Sequence, residues 1–394
     1  MNIRLETEAL SEENKVFFCE MLPYVSAHIR QIQKGDDGSV YAVTDDAYAD
    51  EVQEKCRNLK EMICGGKLAN KEIPIKTLVD RSEVPVLNHD PVFAKLAEQE
   101  SVMEIAKGVY AYSGLFLRIM RYFDKKIADF GFRHFDGLTE HLYPVLYPVE
   151  KYEKGRYFET FPHFIMFQTV LNNDLDTLGR FAENGISDPA IFDEMKAPVN
   201  VLRHAACAPV YELLSGRTVP PEKPAVYMVR GKCFRNEADN VFELARLNEF
   251  TMKEYVFIGT QQQCSDGIQT AKELWRFWAD TFGLNCRLDT ANDSFFASNY
   301  QKLKLLQILG DSKQEFKWYV PFSDSYIACS SANFHRTHFS KPYQIRTDAG
   351  TYCCTACFAF GIERMAYAFL NQKGIDPQKW DRATFDEIAA YETL

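Results

Sequence analysis

Gly231-Lys232-Cys233-Phe234-Arg235-Asn236-Glu237 leads through an acidic and apolar loop into Arg246-Leu247-Asn248-Glu249-Phe250-Thr251-Met252-Lys253-Glu254-Tyr255. The stretch reads as a strand, a loop and a second strand. An arginine fixed by a strand can meet a phosphate as a rigid fork, and a glutamate two residues on shares its side and can accept from an exocyclic amine. The ordinary alternative is a solvated cross-strand pair of Arg and Glu.

Around this hairpin the chain has 394 residues, enough for two or three domains, with 46% apolar and 25% charged residues. No apolar run has the length of a membrane span and no signal-peptide core opens the chain, so a cytoplasmic location is expected. Eleven cysteines at irregular spacings fit reduced thiols. A net charge of −10 argues against a broad nucleic-acid-binding surface. Residues 1–105, with 12 Lys+Arg against 20 Asp+Glu, hold most of that imbalance.

Residues 1–105 read as a small acidic α/β unit plus linker, and residues 106–394 as the main domain. Ser11 caps an expected helix reaching to about Gln33, and a second helix is expected over 45–62. Residues 92–131 read as helical, 141–148 as a strand ended by proline, and 260–282 as a helix with an apolar face. Short strands are expected at 286–288, 316–321, 326–328 and 343–346, with Ser330-Ser331-Ala332-Asn333-Phe334-His335 as a substrate-facing turn. Thr355 to Leu370 reads as a strand passing through Gly361 into a helix with Arg364 on its first turn.

In order and type these pieces resemble a class II aminoacyl-tRNA synthetase catalytic domain. That family is α+β, an antiparallel sheet flanked by helices, with signature motifs that appear here as Phe234-Arg235-Asn236-Glu237 and Gly361-Ile362-Glu363-Arg364. The resemblance implies that Arg235 binds the α-phosphate of ATP and the acyl group, Glu237 the adenine amine, and Phe250 the adenine face. Arg364 is implied near the γ-phosphate, and Arg246 is assigned to the nucleotide with them. Ser331 and Asn333 are implied to face the substrate.

Methanogen-type seryl-tRNA synthetases and their shortened relatives, the amino acid–carrier protein ligases, hold zinc by Cys, Glu and Cys. Cys207, Glu254 and Cys357 match that set, and in this resemblance the zinc binds the substrate amine, which Glu254 thereby helps to hold. Alone, Cys207 reads as a buried free cysteine. The similarity to the ligases extends over Gly108 to Gly114, Phe161-Pro162-His163, Arg203 to Cys207, Phe295-Phe296-Ala297-Ser298-Asn299 and Asn333-Phe334-His335. Ala359 and Lys317 depart from the family, which tends to have glycine and glutamate there.

The implied activity is ATP- and Mg²⁺-dependent formation of an aminoacyl-adenylate from a small amino acid, then transfer to the phosphopantetheine thiol of a carrier protein. A homodimer is expected, with the family's first motif near Pro144 to Pro148. The alternatives are a tRNA-charging enzyme of the seryl type, disfavoured by the acidic front segment, and a catalytically silent paralogue acting as a regulatory or binding subunit.

Overall fold

The computed structural model describes residues 1–8, 10–64, 75–293 and 312–394. The quoted stretch forms two long antiparallel strands, Ala225–Phe234 (β3) and Glu249–Gly259 (β4), which lie towards one edge of a sheet of eight strands among the described residues. The other members are Thr77–Asp80 (β1), Thr139–Leu142 (β2), Cys286–Thr290 (β5), Lys313–Val320 (β6), Ser325–Arg336 (β7) and Cys354–Gly361 (β8). Their order is β1-β5-β6-β7-β8-β4-β3-β2, antiparallel throughout except for the β2–β3 pair.

Strand alternation divides the sheet into two faces. Tyr255 and Phe257 of β4, with Phe358 and Phe360 of β8, face three helices, Gly114–His134 (α1), Gln261–Thr281 (α2) and Ile362–Lys373 (α3), in the larger core. Val256 and Ile258, with Val229, Cys233 and Cys357, face Tyr152, Tyr157, Tyr211 and Tyr343 in a second core. Helix α2 is closed at its start by a capping box of Thr260 and Gln263, and buries Leu274, Trp275 and Trp278.

Several expected elements differ. The first helix, Glu12–Met21, stops before Pro23, which has no N–H to continue the ladder, and a short turn Leu22–Tyr24 and strand Gln31–Lys34 follow. Residues 92–131 hold the helix Val92–Glu98, a hairpin of Val102–Ala106 with Val109–Tyr112, and only then α1, because Gly108 turns the chain at φ +70°. The 141–148 strand is broken at Pro144: β2 joins the main sheet, and Leu146–Pro148 pairs instead with Asn200–Leu202. At 343–346 the ladder shrinks to Arg346–Thr347, since Tyr343 is taken into the second core.

The polar run 330–335 is strand β7 itself rather than a turn. Its hydroxyl on the helix-bearing face is satisfied there: Trp275 Nε1 donates to Ser330 Oγ at 2.8 Å, and Ser330 donates to the Ala359 carbonyl at 2.7 Å. The front unit has its own core, drawn from residues 3–63. Segment 77–105 does not belong to it, because β1 is an edge of the main sheet and Val92, Leu96 and Val102 pack in the larger core.

Candidate functional site

On the face away from the helices, β4 presents Glu254, β8 presents Cys357, and the turn before the helix Ala208–Leu213 presents Cys207. Their ligand atoms lie within 4.8 Å of one another, and all three residues are buried. Register explains the meeting. Glu254 stands opposite Ala359, so Cys357 lies one side-chain step along β8 on the same face. The backbone N–H groups of Ala206 and Cys207 donate to Glu254 Oε1 at 2.9 and 3.0 Å, which fixes the 206–207 turn against the strand.

Three acidic groups crowded away from water resist ionisation. The Cys207 thiol is pushed far up by its hydrogen bond to Cys357, by burial and by the Glu254 carboxylate. Burial also raises Glu254, against the hydrogen bonds it accepts from Cys207, Cys357 and Ala206. Two sulfurs and a carboxylate oxygen at this separation fit a tetrahedral zinc with Zn–S bonds of about 2.3 Å, whose cation would stabilise all three in their ionised forms. The cluster is a possible metal-binding site. Asn333 Nδ2 lies 3.6 Å from Cys357 Sγ and 3.1 Å from Ser331 Oγ, so both expected substrate-facing residues stand beside the cluster on β7.

At the other end of the hairpin the expected nucleotide residues converge. Arg235 leaves the end of β3 with its guanidinium carbon 5.1 and 5.5 Å from the ring centroids of Phe250 and Phe164, and its Nε donates to the His204 carbonyl at 3.3 Å. Glu237 is buried, its N–H donating to Asn248 Oδ1 at 2.9 Å. Arg246 Nη1 lies 3.7 Å from Glu237 Oε2. Arg364 Nη1 donates to the Ala328 carbonyl at 3.2 Å, and its pKa is lowered by burial and by the neighbouring Arg246 and Arg235 cations, with Glu237 acting the other way.

Glu363 joins the two motifs. Its carboxylate accepts from the Thr251 N–H at 2.7 Å and the Thr251 hydroxyl at 2.9 Å, tying the first turn of α3 to the residue after Phe250. The lysine at 317 is held by Asp289 at 3.3 Å and Glu315 at 3.7 Å, and Ala359 stands in register between Glu254 and Ser331. The motif Phe295 to Asn299 lies outside the described residues. A separate cavity of about 210 Å³, lined by Ser265, Lys272, Gln314 and Arg336 among others, opens on the helix-bearing face and takes no part in this arrangement.

The tRNA synthetase class II core domain (G, H, P, S and T) matches residues 196–373. Amino acid–(acyl-carrier-protein) ligase 1 of Bradyrhizobium diazoefficiens is 30% identical over 283 residues, covering 69% of this chain and 82% of that protein. The chain belongs to the class II synthetase-like family of amino acid–carrier protein ligases. This family member is also similar to the type-2 serine–tRNA ligase of Methanothermobacter thermautotrophicus, 27% identical over 62% of this chain and 49% of that protein. In fold, the ligase-family chain matches the M. kandleri SerRS solved with A. aeolicus tRNASec, at a TM-score of 0.71 and 20% identity, over 99% of this chain and 77% of that one.

Three features of this family member were not legible in its motifs. His335 Nε2 lies 3.6 Å from Cys357 Sγ, a contact that its place in the Asn333-Phe334-His335 motif did not specify. Phe164 sets a second ring against Arg235 across a separation of 71 positions. Glu20 of the front unit pairs with Arg246 at 2.8 Å across 226 residues, a contact that no local pattern signals.

Proposed function

We propose that this chain activates a small amino acid with ATP as an aminoacyl-adenylate and passes the aminoacyl group to the phosphopantetheine thiol of a carrier protein. The observation that carries the reading is the single hairpin that bears Glu254 of the Cys207–Glu254–Cys357 cluster on one strand and Arg235 and Phe250 at its far end. Glu254 and Phe250 are four residues apart on β4, roughly 13 Å by strand rise. Kinship with the carrier protein ligases supports the same reading.

In this reading Cys207, Glu254 and Cys357 would hold zinc, which would supply Lewis-acid binding of the substrate amine. Ser331 and Asn333 border the amino acid. Arg235 aligns the carboxylate with the α-phosphate and offsets the charge that grows there as the carboxylate attacks and pyrophosphate departs. Glu237 accepts from the adenine amine, Phe250 faces the base, and Arg246 and Arg364 bind the outer phosphates, with Mg²⁺ accompanying ATP. No side-chain nucleophile is required, because the substrate carboxylate supplies it. A cytoplasmic homodimer is part of the proposal.

Amino-acid-dependent exchange of pyrophosphate into ATP tests it directly. Metal-replete protein that exchanges with none of the twenty amino acids would sink the activation step. A second reading, tRNA charging of the seryl type, is favoured by one observation: the tRNA-bound neighbour matches the fold over 99% of this chain, front unit included. Parallel acceptor assays with holo carrier protein and with tRNA separate the two, and charging of tRNA alone would replace the first reading with the second.

A further inference from the structure

The front unit reaches the nucleotide end of the hairpin through one short turn. Leu22–Tyr24 lies against Ala238–Asn240, Tyr24 Oη donates to the Asn236 carbonyl at 2.7 Å, and Asn240 Nδ2 donates to the Glu20 carbonyl at 2.9 Å. The Tyr24 ring also meets His163 edge-on at 5.1 Å. These contacts deliver the Glu20 side chain to Arg246, whose Nη2 donates to Glu20 Oε1 at 2.8 Å.

The other nitrogen of the same guanidinium stops 3.7 Å from Glu237 Oε2, an atom that is buried and makes no hydrogen bond among the described residues. A guanidinium beside a buried carboxylate with a vacant oxygen gains by closing to hydrogen-bond distance, about 2.7–2.9 Å. Glu20 engages the same guanidinium from the other side.

We propose that Glu20 is a positioning residue of the nucleotide site: by tethering Arg246 it keeps Glu237 Oε2 available to accept from the adenine amine. This rests on the reading of Glu237 as the adenine contact. Without the tether Arg246 pairs with Glu237 and occupies the oxygen that tells an exocyclic amine from a carbonyl. Affinity for ATP and preference over GTP then fall together, since guanine presents a carbonyl where adenine presents its amine. The acidic front unit acquires a role on this view, as the part of the chain that sets the adenine contact.

The test is calorimetric binding of ATP and of GTP to full-length, zinc-replete protein, wild type against E20A, E20Q and the double variant E20A/R246A. The expected result for E20A is roughly tenfold weaker ATP binding, the loss of about one charge-assisted contact, with a similar fall in the ATP-over-GTP ratio. E20Q, which still accepts from Arg246, recovers most of both. Adding R246A to E20A restores the ratio, because the cation that blocks Glu237 is gone; a merely structural role for Glu20 would not produce that restoration. Should E20A fail to fold, Glu20→Asp carries the same expectation at smaller amplitude. An unchanged ratio in E20A, or tighter ATP binding, overturns the role of Glu20 while leaving the nucleotide site standing. Wild-type protein that binds neither nucleotide overturns both.

Discussion

The two ends of the β3–β4 hairpin are built differently. The Cys207–Glu254–Cys357 end lies in the sheet: two of its three residues are strand residues set by register, and the third is fixed by backbone hydrogen bonds to Glu254. The Arg235–Glu237–Arg246 end lies where the strands give way to a loop, and its side chains are steadied by groups from elsewhere, Phe164, the His204 carbonyl and Glu20. A metal ligand set must keep its donors within tenths of an ångström, which a packed sheet supplies. Binding and releasing a nucleotide requires side chains that can rearrange, and loops allow it.

If that contrast holds, damage at the sheet-built end is severe and damage at the loop-built end is graded. Glu254→Ala should have the largest effect, lowering amino-acid-dependent pyrophosphate exchange by about a thousandfold or more and releasing bound zinc, read by metal analysis of the native protein. Folding should survive, with a cost of about 1–3 kcal/mol for the two N–H groups left without their acceptor, measured by denaturant unfolding. Full exchange activity in that variant would end the metal-site assignment. Arg235→Ala comes next, with kcat for exchange down by about 10²–10³ and zinc content unchanged. A loss of zinc there would mean that the two ends are not separable.

His163, which meets the front unit, offers a pH test of the loop-built end. Burial, with the Arg235 charge adding to it, lowers its pKa from 6.5 to about 4, so the fold favours the neutral ring. Stability from this group is complete above about pH 6.5, declines as pH falls from there towards 4, and levels off below; the full loss is about 3 kcal/mol. Urea unfolding at pH 7 and pH 4.5 should show less acid destabilisation in His163→Asn than in wild type, and equal slopes would remove His163 from the account.

The smallest expected effect lies behind the hairpin, where buried Arg203 donates to the Lys232 carbonyl at 3.0 Å and the Tyr143 carbonyl at 3.2 Å. A Cβ on Gly231 would fall 1.6 Å from Arg203 Nη2, so Gly231→Ala must displace the guanidinium. Destabilisation of about 2 kcal/mol is expected, measured by thermal unfolding. An unaltered midpoint would mean that Arg203 has room to move that its contacts do not suggest.

Much of this was legible in one dimension. The strand–loop–strand of 225–259, helix α2 with its apolar stripe, and the strand leading through Gly361 into α3 all follow from local periodicity and punctuation. Misreadings occurred where a side chain's partner is distant. Ser330 looked like a turn residue because its hydroxyl is satisfied by Trp275, 55 positions away, and the linker after the front unit gave no sign of strand β1 because nothing local reveals its pairing with Cys286–Thr290.

By itself, then, the sequence determined the hairpin, the two signature motifs and the family, since these depend on residue types at short and fixed spacing. Only the tertiary structure decided that Cys207, Glu254 and Cys357 share one buried point, and that Glu20 reaches across 226 residues to Arg246. The reason is physical. Strand parity chooses the face on which a side chain lies, but which residues meet on that face is set by interstrand register and by the docking of separate cores, and neither leaves a periodic trace in the chain.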